Sequence, residues 1–339
     1  MSLRKLMFAA TSAIALVLAG GADAKTTLKM SIGAPEGPGG EIMGMKALKE
    51  YVEFKSKGEI EIRLFFNTFG GSLQVTEQVK NGTLEMALTD DSVLGSFHKP
   101  MQIYQIPYLF PSSPVAWEFM KSSFVKDLND EMRKATGIRT LVLSENGFRN
   151  ITNNSREVKG PDDMKGLKMR TMQSQVYVNF MKSMGAAATP IAFPELVTSL
   201  KQNVVDGQEN AASTVWDGRL YEVQKYMSVN EHIYGLHFII INDGVFSKLS
   251  ADEKQILIDG AKVHAEVANS RKAMDSLQAI DKIRQAGTKV YVNSPTEKEA
   301  FRKQTQGAVI EFISGEVGKP LVDKLLAAVE EAKKQAYAN

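Results

Sequence analysis

Two arginines stand where a carboxylate-binding group would be expected. Arg149 follows the turn-like Asn146-Gly147, and Arg170 closes the short apolar segment Gly166-Leu167-Lys168-Met169. In open α/β sheets the ligand crevice lies at the carboxyl ends of the strands, so a guanidinium at such an end points where a solute would sit. Its planar fork matches a carboxylate with two parallel hydrogen bonds. Composition alone leaves the alternative open at both positions, a solvated or internally paired arginine. The run Asp206-Gly207-Gln208-Glu209-Asn210 offers polar side chains directly after a helix-ending glycine. Asn210 in that run either hydrogen-bonds a ligand or fixes a turn. Phe193 and Trp216 lie near loops, where an aromatic ring is either lobe core or ligand wall. Asp90-Asp91 and Asp162-Asp163 are adjacent acids, more often found capping turns or facing solvent than holding a cation or moving protons.

Most other chemistry is excluded by what is missing. The sequence has no G-x-S-x-G, H-E-x-x-H, Walker loop or strand-to-helix G-x-G-x-x-G. It has no cysteine, which removes disulfides, thiol nucleophiles, zinc-thiolate sites and a lipid-modified N-terminal Cys. Four histidines, none paired at helical spacing, leave little material for a metal site, and no cofactor is expected. His232 and His237 are the only bases near the arginine segments in order, and both read as structural. A net charge of +2 with both signs scattered argues against nucleic acid.

The elements that must position these residues alternate strand and helix. Thr26 to Gly33 reads as a strand, followed by a Gly/Pro-rich loop from Ala34 to Gly40 and a helix with an Ile42, Met45, Leu48, Val52 stripe. Ile60 to Phe66 is a second strand, and Ser72 is placed as N-cap of a helix reaching Asn81-Gly82. Thr83 to Thr89, Ile138 to Ser144, Leu167 to Arg170, Ala186 to Thr189 and Tyr234 to Asn242 continue the strands. Pro194 opens a helix expected to end at Asp206-Gly207. Ser250-x-x-Glu253 is a capping box that starts a helix running to about Gln285, long enough to lie across two lobes. A strand at Lys289 to Val292 and two helices complete the chain. This order predicts an α/β fold with a largely parallel sheet, and a chain that crosses between lobes more than once. At the N-terminus, Arg4 and Lys5 precede an apolar stretch from Leu6 to Ala19 and then Ala22-Asp23-Ala24, the pattern of a cleavable secretory leader over residues 1–24. The apolar stretch is shorter than the roughly 20 residues that span a bilayer.

Several segments together are far more specific than any one. Asp163-Met164-Lys165-Gly166-Leu167-Lys168-Met169-Arg170, Thr189-Pro190-Ile191-Ala192-Phe193, Asp206 to Asn210, Tyr221-Glu222-Val223-Gln224-Lys225-Tyr226 and Pro107-Tyr108-Leu109-Phe110 resemble the extracytoplasmic solute receptors of tripartite ATP-independent periplasmic (TRAP) transporters. The likeness runs over essentially the whole mature chain. It implies a two-lobed periplasmic binding protein that closes around an organic acid, a sugar acid or dicarboxylate, and hands it to small and large membrane subunits, with monomer the family default. The lobes would comprise residues 25–147 plus about 235–275, and 148–234 plus about 276–305, with helices over about 306–339 packing on both. The resemblance puts the carboxylate-clamping arginine at Arg170, a second ligand-facing arginine at Arg149, the supporting asparagine at Asn210, and further pocket positions at Gln173 and Phe193. Loop position alone adds Asp91, Glu36 and Ser72 from the first lobe. One departure is Ala211-Ala212 where many relatives have proline, with Trp216 placed to narrow the pocket. The rival readings are an exported α/β hydrolase or lyase, and a sensory module that docks on a receptor kinase.

Overall fold

The computed structural model describes residues 25–338. The expected leader over residues 1–24 lies outside them. Among the described residues nine strands form a single sheet: β1 (Thr26–Ile32), β2 (Ile60–Phe66), β3 (Met86–Asp90), β4 (Ile138–Asn153), β5 (Lys168–Thr171), β6 (Ala187–Pro190), β7 (Gly207–Ala211), β8 (Tyr226–Asn242) and β9 (Lys289–Val292). Their order is β2-β1-β3-β8-β4-β7-β5-β6, with β9 also on β8.

Strand direction creates the cleft. β1, β2 and β3 run parallel to one another, β8 is antiparallel to β3, and β4 is antiparallel to β8. β7 is antiparallel to β4 and parallel to β5, which is parallel to β6. The β1–β3 group and the β5–β7 group therefore point at each other, carboxyl end toward carboxyl end. The loops that leave both groups open into the space between two lobes. The long β4 and β8 connect the lobes, so the sheet is mixed rather than largely parallel.

Alternation along β8 explains its nearly continuous apolar run. Ile239 and Ile241 join one core with Leu28, Met30, Leu48, Val52 and Leu257, whereas Phe238 and Ile240 join another with Tyr104, Phe119, Phe180 and Phe301. A third core in the second lobe contains Leu196, Leu200, Val215, Met227 and Ile283. Each fully buried aliphatic side chain contributes about 1.5–3 kcal/mol. The helix Gly40–Lys55 packs on the helix Ala251–Gln285 closely enough that a Cβ on Gly260 would meet Val52 Cγ2 at 2.7 Å. That second helix carries the expected capping box and spans both lobes by its contacts, from Leu257 in the first core to Ile283 in the third. The C-terminal helices also straddle the molecule. Pro295–Val317 packs on Gln175–Ser183, and Lys319–Tyr337 packs on Ser113–Met120.

Three local readings change. Ser72 is the first helical residue after a Gly71 N-cap, because its hydroxyl donates to Asp90 Oδ2 at 2.5 Å instead of capping the helix. The helix from Phe193 ends at Lys201, well before Gly207. Asn146-Gly147 is not a turn: β4 runs through it with a register shift between Glu145 and Gly147, and Gly147 at φ 112° takes up the irregularity that a side chain would resist.

Candidate functional site

The facing strand ends enclose about 950 Å³ of empty space, counting the solvent at its mouth. From the first lobe come the β1 loop with Glu36, the helix start with Glu41, then Ser72, Asp90 and Ser92. From the second come Arg170, Met172, Gln173, Phe193, Asn210 and Asp217; Asn146 and His237, from the connecting strands, complete the lining.

Arg170 sits at the end of β5 and is only 2% exposed. Its Nε donates to the Ile191 carbonyl at 2.8 Å, while Nη1 is buried with no partner. Burial pulls the guanidinium down to about 10; Glu209 and Asp90 oppose that shift and Arg149 adds to it. The group stays charged at neutral pH, so it presents a cation with an unfilled donor to the cleft. Asn210 lines the cleft beside it, on β7, with Nδ2 held by Gln208 Oε1 at 2.6 Å. Gln173 and Phe193 also line the space, and Glu36 lies at its rim in a 2.5 Å ion pair with Lys46.

Three predicted residues lie elsewhere. Arg149 does not line the cleft: it is fully buried, with Nε 2.5 Å and Nη2 2.9 Å from the two carboxylate oxygens of Glu209, and Nη1 unpartnered. Burial opposes its charge, but Glu209 outweighs burial and raises its pKa. Burial would likewise raise Glu209, yet Arg149 and His232 together draw it down to about 2. His232 Nε2 lies 3.3 Å from Glu209, and its ring stacks on Phe180 at 4.8 Å. Asp91 points inward, accepting from Leu236 N at 3.1 Å, and Asp90 one residue earlier forms the cleft wall. Asp90 ends β3 and Asp91 opens the short helix Asp91–Leu94, so the two side chains leave the backbone in different directions. Trp216 faces the second-lobe core, stacked on Tyr221 at 4.6 Å; its neighbour Asp217 reaches the cleft.

Sequence reasoning missed Glu41, Asp90, Asn146, Asp217 and His237. Glu41 reads as an ordinary acid in a first helical turn. Its Oε2 lies 2.7 Å from Nζ of Lys272, a fully buried lysine on the long helix. Burial works against the Glu41 charge, but Lys272 outweighs it and holds the carboxyl below its ordinary range. Burial draws His237 down to about 3, so its imidazole is neutral at physiological pH and a poor base for the hydrolase reading. Among the described residues no group of three or more His, Cys, Asp or Glu side chains is arranged to hold a metal, and no helix is long and apolar enough to cross a membrane.

Against known proteins, the sequence model described as bacterial extracellular solute-binding protein, family 7, matches residues 40–315. A solute-binding protein of Verminephrobacter eiseniae is 31% identical over 80% of this chain and 81% of its own length. The 2,3-diketo-L-gulonate-binding periplasmic protein of Escherichia coli is 29% identical over 85% and 87%. Among solved structures, the sugar acid binding protein of Advenella mimigardefordensis in complex with galactonate superimposes with a TM-score of 0.86 at 29% identity, over 90% of this chain and 98% of that one. A TRAP periplasmic solute binding protein of Polaromonas bound to D-erythronate gives 0.84 at 30%, over 89% and 98%.

Proposed function

Because the chain belongs to the bacterial extracellular solute-binding proteins of family 7, which are receptors and not enzymes, we propose that it captures an organic acid by its carboxylate at Arg170 and delivers it to the membrane subunits of a TRAP transporter. One observation carries the reading: a buried, charged guanidinium in the cleft wall that has no carboxylate partner and leaves Nη1 without a hydrogen bond. An uncompensated buried charge is costly, and an anion removes that cost. Asn210 and Gln173 stand beside the arginine to hold the carboxylate, with Phe193 as an apolar wall. Arg149, already matched by Glu209, acts from behind through its field.

Binding proceeds in two stages in this reading. The carboxylate docks on the second lobe, and polar groups of the first lobe then engage the rest of the molecule and favour closure. Ser72, Asp90 and the loop bearing Glu36 supply those groups. The leader over residues 1–24 directs the chain to the periplasm, as relatives named periplasmic support. Calorimetry of the mature chain against monocarboxylates and dicarboxylates tests the proposal. Heat of binding that disappears in Arg170→Ala supports it, and acid binding that survives the substitution refutes the clamp.

A further inference from the structure

The cleft has a second polar end, and its chemistry is the reverse of the first. A Cβ built on Gly39 would meet both Glu41 carboxylate oxygens at 2.9 Å and Asp217 Oδ2 at 3.1 Å, so acids from the two lobes converge there. Arg170 stands on β5 and is tied to the Ile191 carbonyl, whereas Glu41 lies in the first turn of Gly40–Lys55 and Asp217 ends the helix Ala212–Asp217, the two acids meeting at Gly39. The arginine and the acids therefore occupy different ends of one cleft.

The charges at the acidic end do not cancel. Lys272 is matched by Glu41, and Arg271 by Asp275 at 2.8 Å. Glu36 is matched by Lys46 at the rim. Asp217 makes no ion pair among the described residues; burial pushes it up to about 6, with the Lys272 charge opposing the rise and Glu41 adding to it. Glu41 Oε2 is held by Lys272, whereas Asp217 Oδ2 and Asn146 Oδ1 are buried acceptors without a hydrogen-bond partner, and the neutral His237 leaves Nδ1 without one. Asn146 is 5% exposed and His237 9%, and both line the cleft.

We infer that Glu41, Asp217, Asn146 and His237 select for a monocarboxylate whose far end carries hydroxyl donors, and reject an acid with a second carboxylate there. This rests on the reading of Arg170 as the carboxylate partner. A terminal hydroxyl fills an acceptor that otherwise remains buried and bare. A second carboxylate brings a negative charge against Asp217 and Glu41, where Lys272 and Arg271 are already matched. An ammonium group is the poorer donor here, because the charges of Lys272 and Arg271 already act on Asp217 and repel a further cation.

The test compares acids that differ at one carbon: D-erythronate, D-gluconate and D-galactonate against the aldarates with the same skeletons, with succinate and L-serine added, all by calorimetry on the mature chain at pH 7.5. At least one aldonate binds, and its aldarate binds about tenfold or more weakly, since one uncompensated charge contact is worth about 1.4 kcal/mol or more. In Asp217→Asn the gap narrows to about threefold or less, as the repelling charge is gone. An aldarate, succinate or serine that binds as tightly as every aldonate overturns the inference. If that binding is lost in Arg170→Ala, the carboxylate-receptor reading stands while this one falls. Silence from all the acids overturns both. The wild-type comparison holds whether or not the variant folds.

Discussion

Arg149 and Arg170 are both strand residues, both buried, and close enough for each to perturb the other's charge, yet they are opposites. Arg149 spends its fork on Glu209 and helps hold β4 against β7. Arg170 has one backbone carbonyl and a bare nitrogen. Burial alone does not mark a ligand site; the missing counterion does. Asp91 sharpens the point from the acidic side. It too is buried without a cation of its own, but burial, aided by Asp90, raises it to about 7, so a proton relieves part of its charge at neutral pH. Arginine has no such escape within the physiological range, so an unpaired Arg170 waits for an anion from outside.

Breaking the paired member gives the largest effect. Arg149→Ala leaves Glu209 charged and unmatched in the interior, and chemical denaturation registers a loss of about 3–5 kcal/mol. Arg170→Ala moves the other quantity: affinity falls by about a hundredfold or more, roughly 2.7 kcal/mol, while the ligand-free protein stays as stable as the parent or gains slightly. Equal destabilisation by the two substitutions abolishes the distinction. Arg170→Lys keeps the charge and loses the fork, and calorimetry reports a weakening of about tenfold, near 1.4 kcal/mol.

Asp91→Asn tests the acid. Asp91 has a raised folded pKa, so its contribution is fully present below its unfolded value and is lost as pH rises through about 7. The advantage of the Asn variant in thermal melts therefore grows between about pH 4 and 7, by at most about 1.4 kcal/mol per pH unit. A constant difference across that range removes Asp91 from the argument. The smallest effect belongs to Trp216→Phe, which trims the stack on Tyr221 and leaves affinity within about twofold, because the ring faces the lobe core.

The same contrast separates what the sequence revealed from what it hid. Apolar periodicity located the stripe Ile42, Met45, Leu48, Val52, all buried as expected, and the capping box at Ser250 located the long helix. Arg170 stood out because it lies near the end of a strand, and the structure places it in the cleft wall. The strand β7 was not, since Gln208, Glu209 and Asn210 are polar and still fully inside the sheet, satisfied by Thr152, Arg149 and one another. No hydropathy pattern marks a strand whose burial depends on hydrogen bonds made by distant segments. Asp217 was hidden for a related reason: its role comes from Glu41, which only the approach of the two lobes brings beside it.

The order of strands in the sheet also constrains when the molecule can fold. β3 pairs with β1 on one side, but its other neighbour is β8, and Met86 meets Ile241 across more than a hundred intervening residues. An emerging chain therefore has β1, β2 and β3 with an unsatisfied edge until residue 242 is free of whatever holds it. Such long-range pairing is slow to form. Neither lobe can therefore close until most of the chain is available, since the first waits for β8 and the second for Ile283 and β9.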